Sequence, residues 1–473
     1  MTPRSAAPDD QVRRYVETHH IDVIPAAARH GKPWQQIFFW AGANVNVFNI
    51  VLGGVFISFL QLTFWWAVIA IAVGALVGGL LIALHATQGP RLGVPQTIQA
   101  RGQFGFYGAA FMFPIVLLLN VGFIAAQLVI QAQSLEGVGG SLSIPEWILI
   151  LAVPAVIIGV FGYRWIHRVM QATTIVVGIT LVVLFIQGLT YGSLPASQTT
   201  LHHPPVGLFL AGVALLVIDL LSFGPFVSDY TRYLPEDTNP RKLFWSIYAG
   251  NVLAAFGACS IGAYLTALLP KLDPVSAIGQ VSGKWALIIM ALSLIGSDTF
   301  NGYTGAFQVL AFGNMWRRFK SSSVLLRVVP FIIVMIIGVV IAVLGYKNFV
   351  ANLSNLLNVL LAVFIPWSAV NLIDFFVIRH GNYNVASFFV PNSRYGNFAW
   401  RGLLAYAIGL VAELPFISQT YWIGWAVNSL GGADISWLVG FVVAGALYLW
   451  FAKAWPVRDP APDLVGGVRS PAL

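Results

Sequence analysis

The stretch that decides the fold reads WAGANVNVFNIVLGG, residues 40–54, and lies in an apolar segment long enough to cross a bilayer. Asn44, Asn46 and Asn49 fall near its middle, followed by the pair Gly53-Gly54. A lipid-facing helix avoids such residues, because a backbone group freed at that depth finds no water to replace its hydrogen bond. The stretch therefore predicts a membrane helix that is broken where it borders protein or a water-lined cavity.

A second stretch of the same kind, DLLSFGPFVSD, occupies residues 219–229. Its Gly-Pro pair removes a backbone donor and clashes with the preceding helical turn. The two stretches fall in the first and sixth apolar segments, and interrupted segments at matching positions of two halves point to the binding site of a secondary transporter. The spacing predicts two five-helix repeats of inverted topology, with ordinary kinks in a helix bundle as the alternative.

Apolar segments of about 20 residues, the length that crosses the hydrocarbon core, recur along the whole chain. We predict twelve spans, at 34–60, 64–86, 106–133, 146–163, 169–190, 206–228, 243–268, 285–312, 328–346, 349–378, 398–418 and 435–455. The expected fold is an all-α polytopic membrane protein with discontinuous helices 1 and 6. Its predicted parts are a cytoplasmic tail over 1–33, the repeats over 34–190 and 206–378, two peripheral helices over 398–455, and a cytoplasmic tail over 456–473.

Composition and charge indicate a protein that is embedded in a lipid bilayer. Hydrophobic residues make up 58% of the 473 residues and charged residues 9%, against about 25% charged in ordinary soluble domains. With a cytoplasmic N-terminus, all but three of the 25 Lys and Arg residues fall on the inner side, the exceptions being Lys271, Lys284 and Lys347. This positive-inside pattern explains the net charge of +8, so we expect the inner (plasma) membrane and no nucleic-acid partner.

Other classes of protein find little support. The single cysteine, Cys259, excludes a disulfide framework or a cysteine-based metal site within one chain. The sequence has no HExxH motif, and its eight histidines fall mostly in the terminal tail or in loops, so we expect no enzyme, metal or cofactor. A channel or scaffold stays open as a second class; unlike a symporter, a channel could not accumulate its substrate against a gradient.

Four acidic residues lie inside predicted spans, where an ionisable group costs about 2.5–3.5 kcal/mol on insertion scales. Asp219 and Asp298 have apolar or small neighbours, and we interpret them as functional groups that bind a proton or pair with a cation. Asp374 and Glu413 lie nearer to span ends, and we interpret them as structural hydrogen-bonding groups.

Neutral polar residues add a candidate substrate site. Phe123 and Gln127 are four residues apart and so share one helix face, where the ring can stack on a flat solute and the amide can bond its edge. Asn301 offers another amide in span 8. Asp229 and Arg232 follow span 6, and we expect them to form an inner-surface salt bridge or helix cap that stabilises one gate state.

Four stretches together resemble the nucleobase:cation symporter-1 family, the purine–cytosine permeases. They are 40–53; GVPQTIQARGQFGFYG at 93–108; SDYTRYLP at 228–235; and GGADISW at 431–437. The resemblance implies a ten-helix inverted-repeat core of LeuT type, two peripheral helices, and a nucleobase-like substrate held between spans 1, 3, 6 and 8.

The resemblance also implies roles for particular residues. The span 3 pair becomes Phe123 and Gln127, where Phe departs from the usual Trp, and the span 8 asparagine becomes Asn301. Contacts from span 6 would fall among Asp219, Leu220, Ser222 and Phe223. Contacts from span 1 would come from Asn46 or Asn49.

The coupling ion stays open between proton and sodium. Sodium-driven members use carbonyls at the span 1 break together with an adjacent Ser-Thr pair in span 8. Upstream of Asn301 this chain has Ser293-Leu-Ile-Gly-Ser297 instead. Because the pair is missing and Asp219 and Asp298 are present, the sequence favours protons, with Asp219, Asp298, Asp229 and Arg232 as coupling or gating residues.

Overall fold

The computed structural model of the chain describes residues 23–161, 163–313, 315–316, 324–419 and 421–456. Residues 1–22 and 457–473, most of the two predicted tails, lie outside the described residues. Helices occupy each stretch for which a span was predicted: α1a Gln35–Asn44, α1b Val47–Ser58, α2 Phe64–Ala86, α3 Met112–Val138, α4 Ile144–Phe161, α5 Tyr163–Tyr191, α6a Val206–Leu221, α6b Gly224–Thr231, α7 Pro240–Leu268, α8a Lys284–Ser293, α8b Ile295–Gly313, α9 Val324–Gly345, α10 Phe349–Ile373, α11 Trp400–Glu413 and α12 Ser436–Ala454.

Short elements connect these helices. A two-stranded antiparallel ribbon, Ser418–Gln419 with Trp422–Ile423, lies between α11 and α12 and pairs Ser418 with Ile423. The remaining helical pieces are Ala26–Ala28, Gln88–Leu92, Gln96–Gln99, Arg101–Phe104, Gly108–Phe111, Ala196–Thr199, Pro274–Ser282, Tyr346–Asn348, Asp374–Ile378, Val385–Phe389, Leu414–Phe416 and Asn428–Leu430. The sequence did not predict the helix Pro274–Ser282, which Asp273 caps by accepting hydrogen bonds from the backbone N–H of Val275 and Ser276.

The membrane class of the fold is confirmed at a coarser level than twelve crossings. Within the described residues, eight helical stretches are long and apolar enough to cross a membrane, or nine when the bent pair α1a–α1b counts as one span. One of the eight, Val328–Ile378, contains most of α9 and all of α10. The protein is therefore an integral membrane protein built almost entirely from helices.

The helices sort into packing groups. In one group, α2 packs against α6a and α7, and α7 also packs against both halves of α1. In the other, α3 packs against α4, α8b and α9. The last helices form a third set, in which α12 packs against α10 and α11. The broken helices α1 and α6 belong to one group and α3 and α8 to the other, so the region between the groups is bordered by all four.

Glycine permits the closest of these approaches. A Cβ atom at Gly53 would collide with the carbonyl oxygen of Cys259, and one at Gly262 would collide with the carbonyl oxygen of Ile50. Small residues let membrane helices bring their backbones together in this way. Gly53 therefore serves the contact between α1b and α7, whereas the sequence had suggested that it takes part in the break of helix 1.

Candidate functional site

Helix 1 is broken at Val45 and Asn46. The halves α1a and α1b meet at an angle of 54°. Asn46 adopts an extended conformation, and its side-chain oxygen accepts a hydrogen bond from the backbone N–H of Asn49 at 2.8 Å. This is an N-cap, which satisfies one of the donors left over at a helix start. The predicted break exists, and an asparagine rather than the glycine pair makes it.

Helix 6 is interrupted at Ser222 and Phe223, where the two pieces still run on as one apolar stretch, Val206–Thr231. Pro225 lies in the first turn of α6b, a position that needs no N–H from the proline. The Ser222 hydroxyl donates to the carbonyl oxygen of Asp219 at 2.6 Å. The Gly-Pro pair thus starts the second piece, α6b, within one apolar stretch.

Helix 8 is also interrupted, which the sequence analysis missed. Its halves meet at Leu294, and Asp298 lies in the first turn of α8b. The signal was present in Gly296 and Ser297, small residues that follow the interruption.

A central cavity lies between these interruptions. The volume open to the centre of a water-sized sphere is about 60 Å³. One water needs about 10–15 Å³ on this scale, so the cavity holds a few waters or a small ring. Eight of the predicted site residues line it: Asn46, Asn49, Phe123, Gln127, Asp219, Ser222, Phe223 and Asn301. Leu220, the other candidate on span 6, is buried but is not part of the lining.

Aromatic rings form a large part of the cavity wall. Phe123 packs against Phe48 with ring centroids 5.2 Å apart, and Phe223 meets Trp40 edge to face at 5.5 Å. The sequence analysis named the two phenylalanines of helices 3 and 6 and missed the rest of the lining, namely Phe39, Trp40, Ala43, Phe48, Leu119, Met170, Phe226, Tyr230, Ser297 and Phe300. Residues such as Trp40 gave no signal, because sequence alone does not tell which face of helix 1 meets the cavity.

The polar groups of the cavity are only partly paired. The amide nitrogen of Asn49 donates to the carbonyl oxygen of Asn44 at 3.0 Å, and that of Asn301 donates to the carbonyl oxygen of Ser297 at 3.0 Å. Side-chain oxygens of Asn49, Gln127 and Asp219 are buried without a hydrogen-bond partner among the described residues. Asn46 differs, because both ends of its amide bond to backbone groups within helix 1.

Asp298 lies outside the cavity lining and contacts Gln131. The Gln131 amide nitrogen donates to Asp298 Oδ2, while Asp298 Oδ1 and Gln131 Oε1 have no partner in the described chain. Gln131 follows Gln127 by one turn of α3, and Asp298 precedes Asn301 by one turn of α8b. The pair therefore lies one helical turn from two cavity residues.

Asp229 and Arg232 lie at the end of α6b and are not part of the cavity lining. Asp229 Oδ1 accepts a hydrogen bond from the backbone N–H of Gln96 at 3.1 Å, and Arg232 Nε donates to the carbonyl oxygen of Asp229 at 3.2 Å. Of the two expected arrangements, the Arg232 bond is that of a helix cap, because it goes to a backbone carbonyl at the end of α6b; the Asp229 carboxylate bonds the segment between α2 and α3.

The other two intramembrane carboxyl groups differ from each other. Asp374 accepts hydrogen bonds from Arg379, Tyr383, Gln103 and Tyr448, which agrees with its interpretation as a structural group. Glu413 departs from that interpretation, because both of its oxygens are buried without a partner among the described residues. It fits beside α12 because position 440 is glycine, where a Cβ would collide with Glu413 Oε1.

The described part of the chain holds no cluster of three or more His, Cys, Asp or Glu residues arranged for a metal ion. The arrangement that remains is an aromatic-walled, partly unpaired polar cavity at the breaks of membrane helices. Together with the fold, it defines a membrane transporter.

Comparison with known proteins identifies the family. The chain belongs to the permeases for cytosine/purines, uracil, thiamine and allantoin, whose family profile matches residues 23–440. It is 31% identical to the putative purine-cytosine permease YxlA of Bacillus subtilis over 93% of this chain and 96% of that protein. It is 23% identical to the purine-cytosine permease fcyB of Emericella nidulans over 92% and 88% of the two chains. These relatives are permeases, so the chain is a transporter and not an enzyme.

Solved structures agree on the fold. The nucleobase-cation-symport-1 family transporter Mhp1 in an inward-facing conformation superposes with a TM-score of 0.74, covering 94% of this chain and 96% of that one at 19% identity. Mhp1 in a closed conformation with bromovinylhydantoin bound gives 0.71, covering 93% and 97% at 19% identity.

Proposed function

We propose that this transporter imports a nucleobase-type heterocycle, such as cytosine or a purine, by cation symport. The single observation that carries the proposal is the central cavity, in which phenylalanine rings of α3 and α6 stand beside the amides Gln127 and Asn301. Aromatic faces bind flat rings by stacking, worth about 1–3 kcal/mol per base. The amides supply the directional contacts that a ring edge needs.

We further propose that transport proceeds by alternating access between the two packing groups of helices. We propose that the protein lies in the inner membrane, crosses it twelve times and has both termini in the cytoplasm. Residues 34–190 and 206–378 would form inverted five-helix repeats, with α11 and α12 peripheral. The matching breaks in α1 and α6, and the placement of those helices in one group, support this arrangement.

For the coupling ion we propose a proton, carried by Asp298 and Asp219. Both carboxyl groups are almost fully buried, and each retains an oxygen without a partner among the described residues. A sodium site built from hydroxyl groups in helix 8 finds less support, because Ile295 and Gly296 stand at the start of α8b and the Ser293 hydroxyl donates to the carbonyl oxygen of Met290. Asp229 and Arg232 are proposed as gating residues, since Asp229 ties α6b to the segment between α2 and α3 and Arg232 bonds the backbone carbonyl oxygen of Asp229.

The alternative is sodium-coupled import of another small planar ring, such as allantoin, hydantoin or uracil. The family description names uracil and allantoin, and one relative at 22% identity is named a hydantoin permease, from Microbacterium maritypicum. This alternative predicts uptake that follows the sodium gradient and ignores pH.

Uptake in a transport-null host tests the proposal. Radiolabelled cytosine, adenine, hypoxanthine, uracil and allantoin are supplied to cells with and without the full chain, and the proton and sodium gradients are collapsed separately. We expect saturable, uphill uptake of at least one ring that stops when the proton gradient is collapsed. Absence of saturable uptake for every ring would reject the substrate class, and flux without accumulation would indicate a channel.

A further inference from the structure

The polar side chains that line the central cavity differ in whether their hydrogen-bond donors or their acceptors are already bonded within the protein. Where a side chain carries both a donor and an acceptor, the donor is repeatedly used inside the protein. The Asn49 and Asn301 amide nitrogens donate to carbonyl oxygens of their own helices, and the Ser222 hydroxyl donates to Asp219. Trp40 Nε1 donates to Gln36 at 3.2 Å. The protein itself therefore occupies several of the hydrogen-bond donors of this wall.

The acceptors are left over. Asn49 Oδ1, Gln127 Oε1 and Asp219 Oδ2 have no partner in the described chain, and their residues are at most 3% exposed. The bond from Asn301 to Ser297 leaves the Asn301 carbonyl oxygen for a substrate. We call these four oxygens the acceptor set. Gln127 Nε2, the second N–H of the Asn301 amide and the Ser297 hydroxyl remain as groups that can donate.

The orientation of these amides is not arbitrary. Reversing the amide of Asn49 or Asn301 would put its oxygen against a backbone carbonyl oxygen, so the bonds to Asn44 and Ser297 fix which atom is free. Asp219 needs no such argument in its ionised form, which accepts only; its protonated form gains one O–H donor and still accepts at the other oxygen. The free oxygens of Asn49 and Asn301 are therefore a property of the folded site.

The electrostatics of the wall point the same way. Among the described lining residues, Asp219 is the charged one, and none is Lys, Arg or His. Eight of the lining residues are aromatic, and aromatic faces carry partial negative charge. When Asp219 is ionised, a ligand carbonyl oxygen placed against it would leave two acceptors facing each other without a proton.

We infer that the cavity selects planar rings that carry an exocyclic amino group over rings with a carbonyl at the same position, and that Asp219 is the residue that accepts the amino N–H. This inference rests on the proposed function, because it assumes that a nucleobase-type ring occupies the cavity. Cytosine and adenine present an amino donor where uracil and hypoxanthine present a carbonyl acceptor. Asp219 thereby determines specificity, beyond the coupling role proposed for it.

The size of the discrimination follows from what the wrong ring leaves unpaired. A site built to bond a donor rejects an analogue that lacks it, because its buried acceptors then stay without a partner. We expect cytosine to compete about tenfold or more better than uracil, and adenine better than hypoxanthine by a similar factor. The matched pairs hold ring size and stacking nearly constant, so the ratio reports the amino group.

The experiment measures competition by each member of the two pairs against one transported radiolabelled ring, in cells expressing the full chain. It then repeats the panel with Asp219→Asn, whose amide brings a donor to the site. A role in coupling alone predicts equal losses for both members of a pair. A role in recognition predicts that the amino-to-carbonyl ratio falls by about tenfold. Asp273→Asn is the matched control, since it removes a carboxylate at an exposed helix cap that asparagine also fills, and it should leave the ratio unchanged.

A second variant keeps the inference testable if Asp219→Asn does not reach the membrane. Gln127→Glu keeps the shape of the side chain, replaces its amide donor by an acceptor, and should raise the ratio. Equal competition by both members of each pair in the wild type, or an unchanged ratio in an active Asp219→Asn protein, would overturn the inference while leaving nucleobase transport intact. Failure of every ring to be taken up would overturn the proposed function itself.

Discussion

Two buried polar regions of this protein can be compared directly, because each is built around aspartate and amide side chains. Around Asp374, the carboxylate accepts hydrogen bonds from Tyr383 at 2.6 Å, Tyr448 at 2.7 Å, Gln103 at 3.0 Å and Arg379 at 3.1 Å. These donors come from α12, the loop before α3 and the segment after α10. Both oxygens of Asp374 are paired, and the group ties these parts of the chain together.

The central cavity shows the opposite arrangement. Asp219 is as buried as the residues around it, yet Oδ2 has no partner in the described chain, and the same holds for Asn49 Oδ1 and Gln127 Oε1. An unpaired buried acceptor costs about 1–3 kcal/mol, so three such groups beside one cavity call for a ligand. The comparison teaches that burial alone does not separate these two carboxylates, whereas the completeness of their hydrogen bonding does.

The largest expected effect is on the amides of the cavity. Asn301→Ala and Gln127→Ala should each lower kcat/KM for uptake by roughly a hundredfold or more, because a ring edge then loses a directional contact in a dry site. Initial rates of uptake, normalised to membrane expression, measure this. Full activity in both variants would show that the substrate binds elsewhere, and that the unpaired groups of the central cavity do not mark a binding site.

The next effect is on coupling. Asp298→Asn should remove uphill accumulation, because the amide can still accept the hydrogen bond from Gln131 but cannot carry a proton. In the wild type, acidifying the outside should speed uptake, since inward proton flow drives the substrate; in the variant this dependence should be lost. Accumulation ratios at several external pH values measure it, and Asp273→Asn serves as control. Uptake that follows sodium and ignores pH in the wild type would reject the proton.

The sequence predicted the classes of residue at the site better than it predicted their roles. Asn46 was expected as a substrate contact or a break residue, and the structure makes it the cap of α1b with both amide ends in use. Gly53 was expected at a break, and it lies at the contact with α7. A glycine that permits a bend and one that permits a close approach look the same in a sequence, because the absence of a Cβ serves both.

The sequence predicted the positions of the helices better than it predicted the residues that line the cavity. Helices stand at all twelve predicted stretches, since the length of an apolar run follows from the thickness of the bilayer. The aromatic wall contributed by Trp40, Phe226 and Phe300 was not foreseen, because these residues also suit a lipid-facing or packed surface. Which face of a helix borders a cavity is decided by tertiary packing, and no local pattern reports it.

A smaller effect is expected at the stacking wall. Phe123→Leu keeps an apolar side chain of similar bulk but removes the ring, and stacking on one base is worth about 1–3 kcal/mol. We expect apparent affinity to weaken roughly tenfold for all transported rings alike, with the amino-to-carbonyl ratio unchanged. Inhibition constants for cytosine and uracil measure both quantities. A changed ratio would mean that Phe123 also sets the position of the ring edge.

The smallest effect on substrate preference is expected at Asp374, where we expect a substitution to change stability and not the amino-to-carbonyl ratio. Asp374→Asn places an amide against Tyr and Gln donors and leaves Arg379 without its counter-charge, which should destabilise the protein by about 3 kcal/mol. The milder Tyr448→Phe removes a single donor and should cost about 1–2 kcal/mol. Thermal unfolding of the purified protein in detergent should show this order. The amino-to-carbonyl ratio in uptake should match the wild type in both variants, because neither residue lines the cavity; a shift in that ratio would show that the paired cluster also shapes the site.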